Sequence, residues 1–174
     1  MNPKLNLIFS RRSVRAYQQN REIPTEIISD LLEAAMAAPS ARATDPWRFI
    51  VVRDHKRLAA ISAGLPNGQM LADAGIGIVV CGDLAAAHDH ELSYLLQDCA
   101  AAIENLLIAA HALGLGGCWL GVHPREERIT HLRKLLEIPD SVIPTAVISL
   151  GWPAAIDKPP RTRFNPEYIH EETW

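Results

Sequence analysis

Residues 11–15 read Arg-Arg-Ser-Val-Arg and form a compact group of side chains that could bind a ligand. Guanidinium groups present forked, permanently charged donors, and with a neighbouring hydroxyl they match the oxygens of a phosphate monoester. The run therefore predicts a local phosphate-binding site. A charged run that is only solvated before a helix accounts for the same residues, and the pattern alone favours that simpler interpretation. A second basic group would complete the site if the chain folds back on itself; it comprises Lys158, Arg161 and Arg163.

Residues 38–49 combine small side chains with an aromatic pair, in the order Ala-Pro-Ser-Ala-Arg-Ala-Thr-Asp-Pro-Trp-Arg-Phe. Small side chains let a backbone approach a flat ligand closely, so this loop is a second candidate binding element. An ordinary loop followed by two core aromatic residues explains the same segment. For Trp47 and Phe49 we favour that role in the core.

Residues 114–121 form a third candidate, the glycine-rich run Gly-Leu-Gly-Gly-Cys-Trp-Leu-Gly. Its glycines either expose backbone N–H groups to a ligand or end the preceding helix. The run differs from a dinucleotide fingerprint in its spacing, and it follows a helix instead of opening one. The sequence also lacks a phosphate-loop lysine motif.

Other chemistry is sparse along the chain. The run 88–90, His-Asp-His, has no third ligand at a suitable spacing, so a solvated loop is a better interpretation than a metal site. Cys118 has no histidine nearby in sequence, which favours a small core residue over a nucleophile. Three polar residues on an apolar helix are expected to cap or bridge neighbouring elements, namely Asp98, Glu104 and Asn105. Because acid, base and nucleophile motifs are missing, an enzyme with this sequence needs a cofactor to carry the reaction.

Composition limits the class of protein. The chain has 174 residues, 48% of them hydrophobic, and a formal net charge of -3. This predicts one domain over 1–174 and gives no general attraction to nucleic acid or to an anionic membrane. The three cysteines lie in apolar surroundings, which favours free thiols in a reducing compartment. Polar residues interrupt the apolar run 99–113, and the amino terminus lacks a signal-peptide pattern, so we expect a soluble cytoplasmic protein without a membrane span.

The elements that must position these groups follow from hydrophobic periodicity. Apolar residues recur every three or four positions over 25–38, where Thr25 is an N-cap candidate and Pro39 ends the helix. The same reasoning predicts a short amino-terminal helix, further helices over 54–63, 91–113 and 124–136, and strands over 49–52, 76–81, 118–120 and 145–150. The helix 91–113 is apolar nearly all round, which places it in the core or at a subunit interface. Residues 151–174 are proline-rich and predict an extended arm, and the whole pattern is α+β.

Together these segments resemble the nitroreductase family of flavoproteins. The similarity runs in order through nearly the whole chain, in the segments RRSVR, PSARATDPWRF, QDCAAAIENLLIAAHALGLGGCWLG, IPDSVIPTAVISLGWP and RTRF…HEETW. It implies an α+β nitroreductase-like fold with a central mixed or antiparallel sheet flanked by helices. It also implies an intertwined homodimer with an extended carboxy-terminal arm, and one FMN per subunit at the dimer interface. The implied activity is hydride transfer from NADH or NADPH to flavin N5 and then to an acceptor.

The resemblance assigns roles to particular residues. It places Arg11, Arg12 and Ser13 on the FMN phosphate and ribityl chain, Arg15 at the ribityl and N1–C2=O edge, and Arg161 and Arg163 on the phosphate. Ser40 and Ala41 would approach the flavin of the partner subunit, and the backbone of Trp119, Leu120 and Gly121 would lie near its N5/O4 edge. No protein side chain is implied as a catalytic group, because the reaction takes place on the flavin. The roles assigned to the arginines agree with the net charge, because a chain that is acidic overall needs a local arginine cluster to bind a phosphate dianion.

Two positions depart from the family pattern. Ala43 stands where the family commonly has asparagine, and Asp45 stands where it has glutamine. Asp45 is therefore a candidate flavin neighbour whose carboxylate would alter the redox potential, with Arg42 as a hypothetical partner. Shaping the turn before Pro46 is an equally weighted alternative.

Three functions are compatible with this resemblance. The first is an NAD(P)H-dependent FMN oxidoreductase acting on nitroaromatics, quinones or similar small acceptors. The second is a flavin-binding protein without significant turnover, and the third is a specialised reductive enzyme such as a dehalogenase. The chain lacks a long insertion that would form a substrate lid, which favours an open pocket and the first function.

Overall fold

The computed structural model describes residues 2–154 and 163–174. The helices are α1 (Asn6–Ser10), α2 (Thr25–Met36), α3 (His55–Ala63), α4 (Leu92–Ala112) and α5 (Glu126–Leu136). The strands are β1 (Trp47–Val52), β2 (Ile76–Asp83), β3 (Gly116–Gly121) and β4 (Val142–Gly151). Helices and strands thus fall where the hydrophobic pattern predicts them, and the α+β class is confirmed.

The four strands form one sheet in the order β1-β2-β4-β3, and each neighbouring pair is antiparallel. The central strand β2 is buried along seven of its eight residues because helices cover both faces of the sheet. Ile78 and Val80 point into a core cluster with α2 and α4, whereas Val79 and Cys81 point into a second cluster with α3 and α5. Burial on both faces explains why β2 reads as a continuous apolar run instead of an alternating one.

The long helix α4 is the core helix of the first cluster. Its buried residues include Leu95, Ile103 and Leu106, and it packs against α2 and against the sheet. Within the described residues, α4 is the one helix whose length and composition would suffice to span a membrane, a test that core helices also pass. Its buried face therefore reflects its place beneath the sheet.

Several element ends differ from the sequence prediction. Thr25 is the first residue of α2 and not its cap; its hydroxyl oxygen accepts a hydrogen bond from Arg53 at 3.2 Å. The helix ends at Met36, two residues before the predicted end, and α5 begins at Glu126. The strands are longer than predicted, because pairing with a neighbour extends a strand beyond its apolar segment.

The described part of the carboxy-terminal segment, residues 163–174, contains one short turn at Pro166–Tyr168. It leaves large apolar side chains exposed, namely Phe164, Tyr168, Ile169 and Trp174. An extended arm over 151–174 remains a prediction, since residues 155–162 lie outside the described part of the chain.

Candidate functional site

The basic run is held against β3 and β4 by two uncharged residues, Val14 within the run and Tyr17 just after it. Val14 is buried, and its N–H donates to the carbonyl of Gly117 at 3.0 Å. This close approach requires glycine at position 116, because a Cβ on Gly116 would lie 2.6 Å from the Cβ of Val14. The Tyr17 hydroxyl lies 2.8 Å from Ser149 Oγ, and burial raises the pKa of Tyr17 above its usual range. The segment therefore presents its charged side chains from a rigid strip of backbone.

Arg15 opens onto a cleft of about 500 Å³ beside β3. Three predicted residues, Trp119, Leu120 and Gly121, line the same cleft. Trp119 is 40% exposed, and a Cβ built on Gly121 would meet no atom within 4 Å, so the backbone of β3 is open to a ligand at this end. The volume lies within the roughly 300–1,000 Å³ that is usual for small-molecule sites. The structure thus brings four of the predicted cofactor-binding residues together.

Arg11 and Arg12 lie at the end of α1, next to α4. Arg11 Nε is 3.2 Å from Glu104 Oε1, an ion pair that links the basic run to the core helix. Arg12 donates back to the carbonyls of Arg11 and Phe9, while its Nε is buried without a hydrogen-bond partner. A buried guanidinium nitrogen without an acceptor is costly, and an anionic oxygen would satisfy it.

The arginines of this run shift the pKa values of two nearby side chains, His111 and Cys118. Burial lowers the pKa of His111, and Arg11 and Arg12 lower it further. Burial raises the pKa of the Cys118 thiol, whereas Arg15 and Arg11 act in the opposite direction. Arg15 lines the cleft together with Cys118, whereas Arg11 is not among its described lining residues.

The three cysteines are free and buried, as the sequence predicts. Burial raises the pKa of Cys81 and of Cys99 to about 12 each, so both thiols stay protonated at neutral pH. Cys118 also has a raised pKa, which agrees with a core residue and not with an activated nucleophile.

The loop after α2 is compact and strained. Ser40 Oγ donates to Asp45 Oδ1 at 2.6 Å and accepts from the Asp45 N–H at 3.1 Å, so Asp45 shapes the turn. Within residues 2–154 and 163–174, no ion pair joins Arg42 to Asp45, and that hypothetical contact is not made. Asp98 is 5% exposed, and its Oδ1 accepts the N–H of Ala41 at 2.9 Å.

The other predicted bridging residues on α4 also behave as expected. Asn105 donates to the carbonyl of Ala34 at 3.2 Å, which joins α4 to α2, and Glu104 forms the pair with Arg11. His88 Nε2 lies 3.3 Å from Asp89 Oδ2 in a surface turn. Among the described residues, no group of three His, Cys, Asp or Glu side chains could hold a metal ion.

Some predicted site residues lie apart from the cleft in a single chain. Ser40, Ala41 and Asp45 are absent from its lining, and so is Arg163, which is exposed. Their proximity to a flavin remains a prediction that involves a second subunit, and Arg161 lies outside the described residues.

The cleft also contains residues that the sequence reasoning missed. They are Leu65, Asn67, Gly68, Gln69, Met70 and Arg128. The Asn-Gly dipeptide at 67–68 was a turn signal, but nothing in the sequence indicates that this turn faces β3. Arg128 follows two glutamates in an amphipathic helix, where a solvated charge is the ordinary interpretation.

Fold and cleft together define an α+β protein with an arginine-lined cleft at the end of one sheet strand. The nitroreductase family model matches residues 8–65 and 58–152. A protein of *Archaeoglobus fulgidus*, provisionally named an NADH dehydrogenase/NAD(P)H nitroreductase, is 46% identical to this chain, and the match covers 100% of both sequences. The chain belongs to the nitroreductase family.

Solved structures agree with this membership. A structure from *Parabacteroides distasonis*, provisionally assigned the same two activities, matches with a TM-score of 0.92 and 40% identity and covers 100% of both chains. A provisionally assigned nitroreductase from *Desulfovibrio desulfuricans*, solved in complex with FMN, matches with a TM-score of 0.84 and 32% identity, covering 100% of this chain and 99% of that one. The nitroreductase-like fold expected from the resemblance is confirmed.

Proposed function

We propose that this protein is an FMN-dependent oxidoreductase that transfers hydride from NADH or NADPH to a nitroaromatic, quinone or similar small acceptor. The observation that carries the proposal is the cleft between Arg15 and the open backbone of Trp119, Leu120 and Gly121, in a member of the nitroreductase family. The FMN complex of the *Desulfovibrio* relative supports the choice of cofactor.

The residues present are suited to FMN. The partnerless Arg12 Nε offers a buried donor for a phosphate oxygen, and Arg11 adds a second cation nearby. Ser13 is exposed beside them and adds a hydroxyl. A terminal phosphate matches this arginine group, whereas FAD would need a dinucleotide site that the sequence does not offer.

Within this proposal the role of the chain is to bind and orient FMN and the reactants. FMN, when bound, supplies the hydride chemistry. Arg15 would stabilise negative charge on the flavin ring, and the backbone of β3 would hold another edge of the ring. Burial raises the pKa of the Cys118 thiol, which does not favour a thiolate nucleophile at this position. The cleft is open, which favours access for a flat acceptor.

The proposal includes an intertwined homodimer. Large apolar side chains are exposed at the amino terminus, including Leu7, Ile8 and Phe9, and others are exposed in the segment 163–174. A second copy of the chain would cover these surfaces and would bring Ser40, Ala41 and Asp45 to its partner's cleft. Under the same proposal 1–174 is one domain, and its reduced cysteines favour the cytoplasm.

An absorption spectrum of the purified protein, followed by anaerobic addition of NADH or NADPH, tests the cofactor and the donor. We expect FMN absorbance that bleaches with at least one donor, and steady-state donor oxidation with a quinone or nitroaromatic. A protein that fails to bind added FMN would contradict the proposal. Bound FMN that no donor reduces would instead favour the flavin-binding alternative, and reduction without turnover of either acceptor class would favour the specialised reductive enzyme.

A further inference from the structure

The cleft has a cationic end that the proposed FMN contacts do not use. Arg128 lines the cleft together with Arg15, and the exposed amide side chains of Asn67 and Gln69 lie along the same wall. None of the described residues that line the cleft is an aspartate or a glutamate. This described lining is therefore rich in hydrogen-bond donors and includes no carboxylate to oppose them.

Arg128 is held in place at this end of the cleft. It is the third residue of α5, and its Nη1 donates to the carbonyl of Gly121 at 2.7 Å. Its Nε is buried and has no hydrogen-bond partner, and Arg128 forms no ion pair within the described ranges. The two glutamates before it, Glu126 and Glu127, are exposed and do not line the cleft.

These contacts leave the Arg128 charge without a counterion among the described residues. One hydrogen bond anchors the guanidinium beside the open backbone of β3, and the described part of the chain uses no other donor of this side chain. A guanidinium with unused donors binds carboxylate and phosphate oxygens through paired, charge-assisted hydrogen bonds. Partial burial strengthens such bonds compared with those on an open surface.

We propose that Arg128, with Asn67 and Gln69, forms a binding site for an anionic group carried by a small-molecule reactant. The site takes a carboxylate or a phosphate and rests on the proposed function, because it lies beside the β3 backbone assigned to the flavin. It restricts the acceptor or donor to molecules with an anionic group. A carboxylate on a flat acceptor and a phosphate on NADPH are the two sources of this chemistry.

Calorimetry on the FMN-loaded protein tests the site without turnover. We expect benzoate to bind about tenfold or more tightly than benzamide, the fold-change typical of one charge-assisted hydrogen bond. Arg128→Gln should remove this preference, Arg128→Lys should keep part of it, and Arg57→Gln is the matched control on exposed α3. Equal binding of benzoate and benzamide to the wild-type protein contradicts a carboxylate site.

Turnover separates the two sources of the anion. If the acceptor carries it, Arg128→Gln should lower kcat/KM about tenfold more for 4-nitrobenzoate than for 4-nitrobenzamide. If the donor carries it, the variant should instead lower the preference for NADPH over NADH. No change in either ratio contradicts the proposal, and so does a loss of FMN affinity in Arg128→Gln, because that assigns Arg128 to the cofactor.

Thermal unfolding of each variant shows whether the substitution has changed the stability of the fold. Arg128→Gln removes both the charge and the bond to Gly121, whereas Arg128→Lys keeps the charge. If the preference for benzoate is lost in Arg128→Gln and partly restored in Arg128→Lys, the charge is its cause. Absence of any NAD(P)H oxidation would defeat the proposed function while leaving the benzoate titration as an independent measurement of the site.

Discussion

At the scale of single residues, the basic run is already engaged within the chain. Arg11 pairs with Glu104, and Arg12 turns back onto the carbonyls of its own helix end. A phosphate at this position would compete with Glu104 for Arg11. If FMN binds here as proposed, its affinity should depend on residues of α4 as well as on the arginines.

Arg11→Ala is expected to raise the dissociation constant for FMN about ten- to a hundredfold, because it removes a charge-assisted hydrogen bond and leaves Glu104 without its cation. Fluorescence titration of the apo-protein with FMN measures this. Glu104→Gln is the matched variant and should bind FMN at least as tightly as the wild-type protein. Unchanged affinity in Arg11→Ala, with a much lower melting temperature, would make Arg11 a structural residue.

His111 should make stability depend on pH. Its ring lies 2.8 Å from Ser10 Oγ, and burial together with Arg11 and Arg12 lowers its pKa in the folded state. The unfolded chain then binds the proton more readily, so this contribution is present above the unfolded pKa of about 6.5 and is lost as the pH falls below it.

Urea unfolding at pH 7.5 and pH 5.5 checks this sign. The wild-type protein should lose more stability on acidification than His111→Gln, whereas His55→Gln at the exposed start of α3 should behave like the wild type. An identical loss in His111→Gln would show that other groups set the acid response.

At the scale of elements, the loop after α2 is held in a strained conformation by hydrogen bonds within the loop and by a bond to Asp98 of α4. Arg42, Ala43 and Asp45 have φ values of 55°, 55° and 49°, in the left-handed region that disfavours side chains with a Cβ. The bonds from Ser40 and Asp98 compensate for this strain. The loop therefore depends on α4 for its shape.

Asp98→Ala should destabilise the protein by about 1–3 kcal/mol, because the N–H of Ala41 loses its acceptor in a buried place. Asp98→Asn keeps an acceptor and removes a carboxylate whose Oδ2 has no partner, so its stability should equal or exceed that of the wild type. Urea unfolding ranks the stability of the wild-type protein and the two variants. Hydrogen exchange should be faster at the Ala41 N–H in Asp98→Ala alone. Wild-type stability in Asp98→Ala would contradict the anchoring role.

Ala43→Asn should stabilise the protein by about 0.5–1 kcal/mol, because asparagine tolerates a positive φ better than alanine. Ala43→Gly relieves the same strain and separates it from any contact of the asparagine amide with the flavin. Thermal unfolding of the apo-proteins is the measurement. A loss of stability in both variants would mean that the Ala43 methyl group is needed for packing.

At the scale of the whole molecule, large apolar side chains are exposed at both ends of the chain. Ile8 is 54% exposed and Phe164 is 74% exposed. Sedimentation should show a dimer at micromolar concentration. Ile8→Glu and Phe164→Glu should weaken the dimer and the binding of FMN together, and Lys56→Glu on exposed α3 should change neither. A stable, FMN-loaded monomer would overturn the homodimer.

The sequence alone determined most of the elements. Hydrophobic period located α2, because burial on a fixed face leaves a local record in the order of residues, and nearly continuous apolar runs located α4 and the buried strand β2. The run 11–15 offered forked donors that suit a phosphate, although the pattern alone favoured a solvated charge run. Its similarity to a family then supplied the roles of Arg15 and of Trp119–Gly121.

Only the tertiary structure decided which groups meet. Arg15 and Arg128 are distant in sequence, and their shared cleft arises because Val14 docks on β3 while α5 returns beside the end of the same strand. The pairing of Arg11 with Glu104 and of Asp98 with Ala41 likewise joins segments far apart along the chain. Such contacts depend on how helices pack across a sheet, and a local pattern of residue types carries no record of that packing.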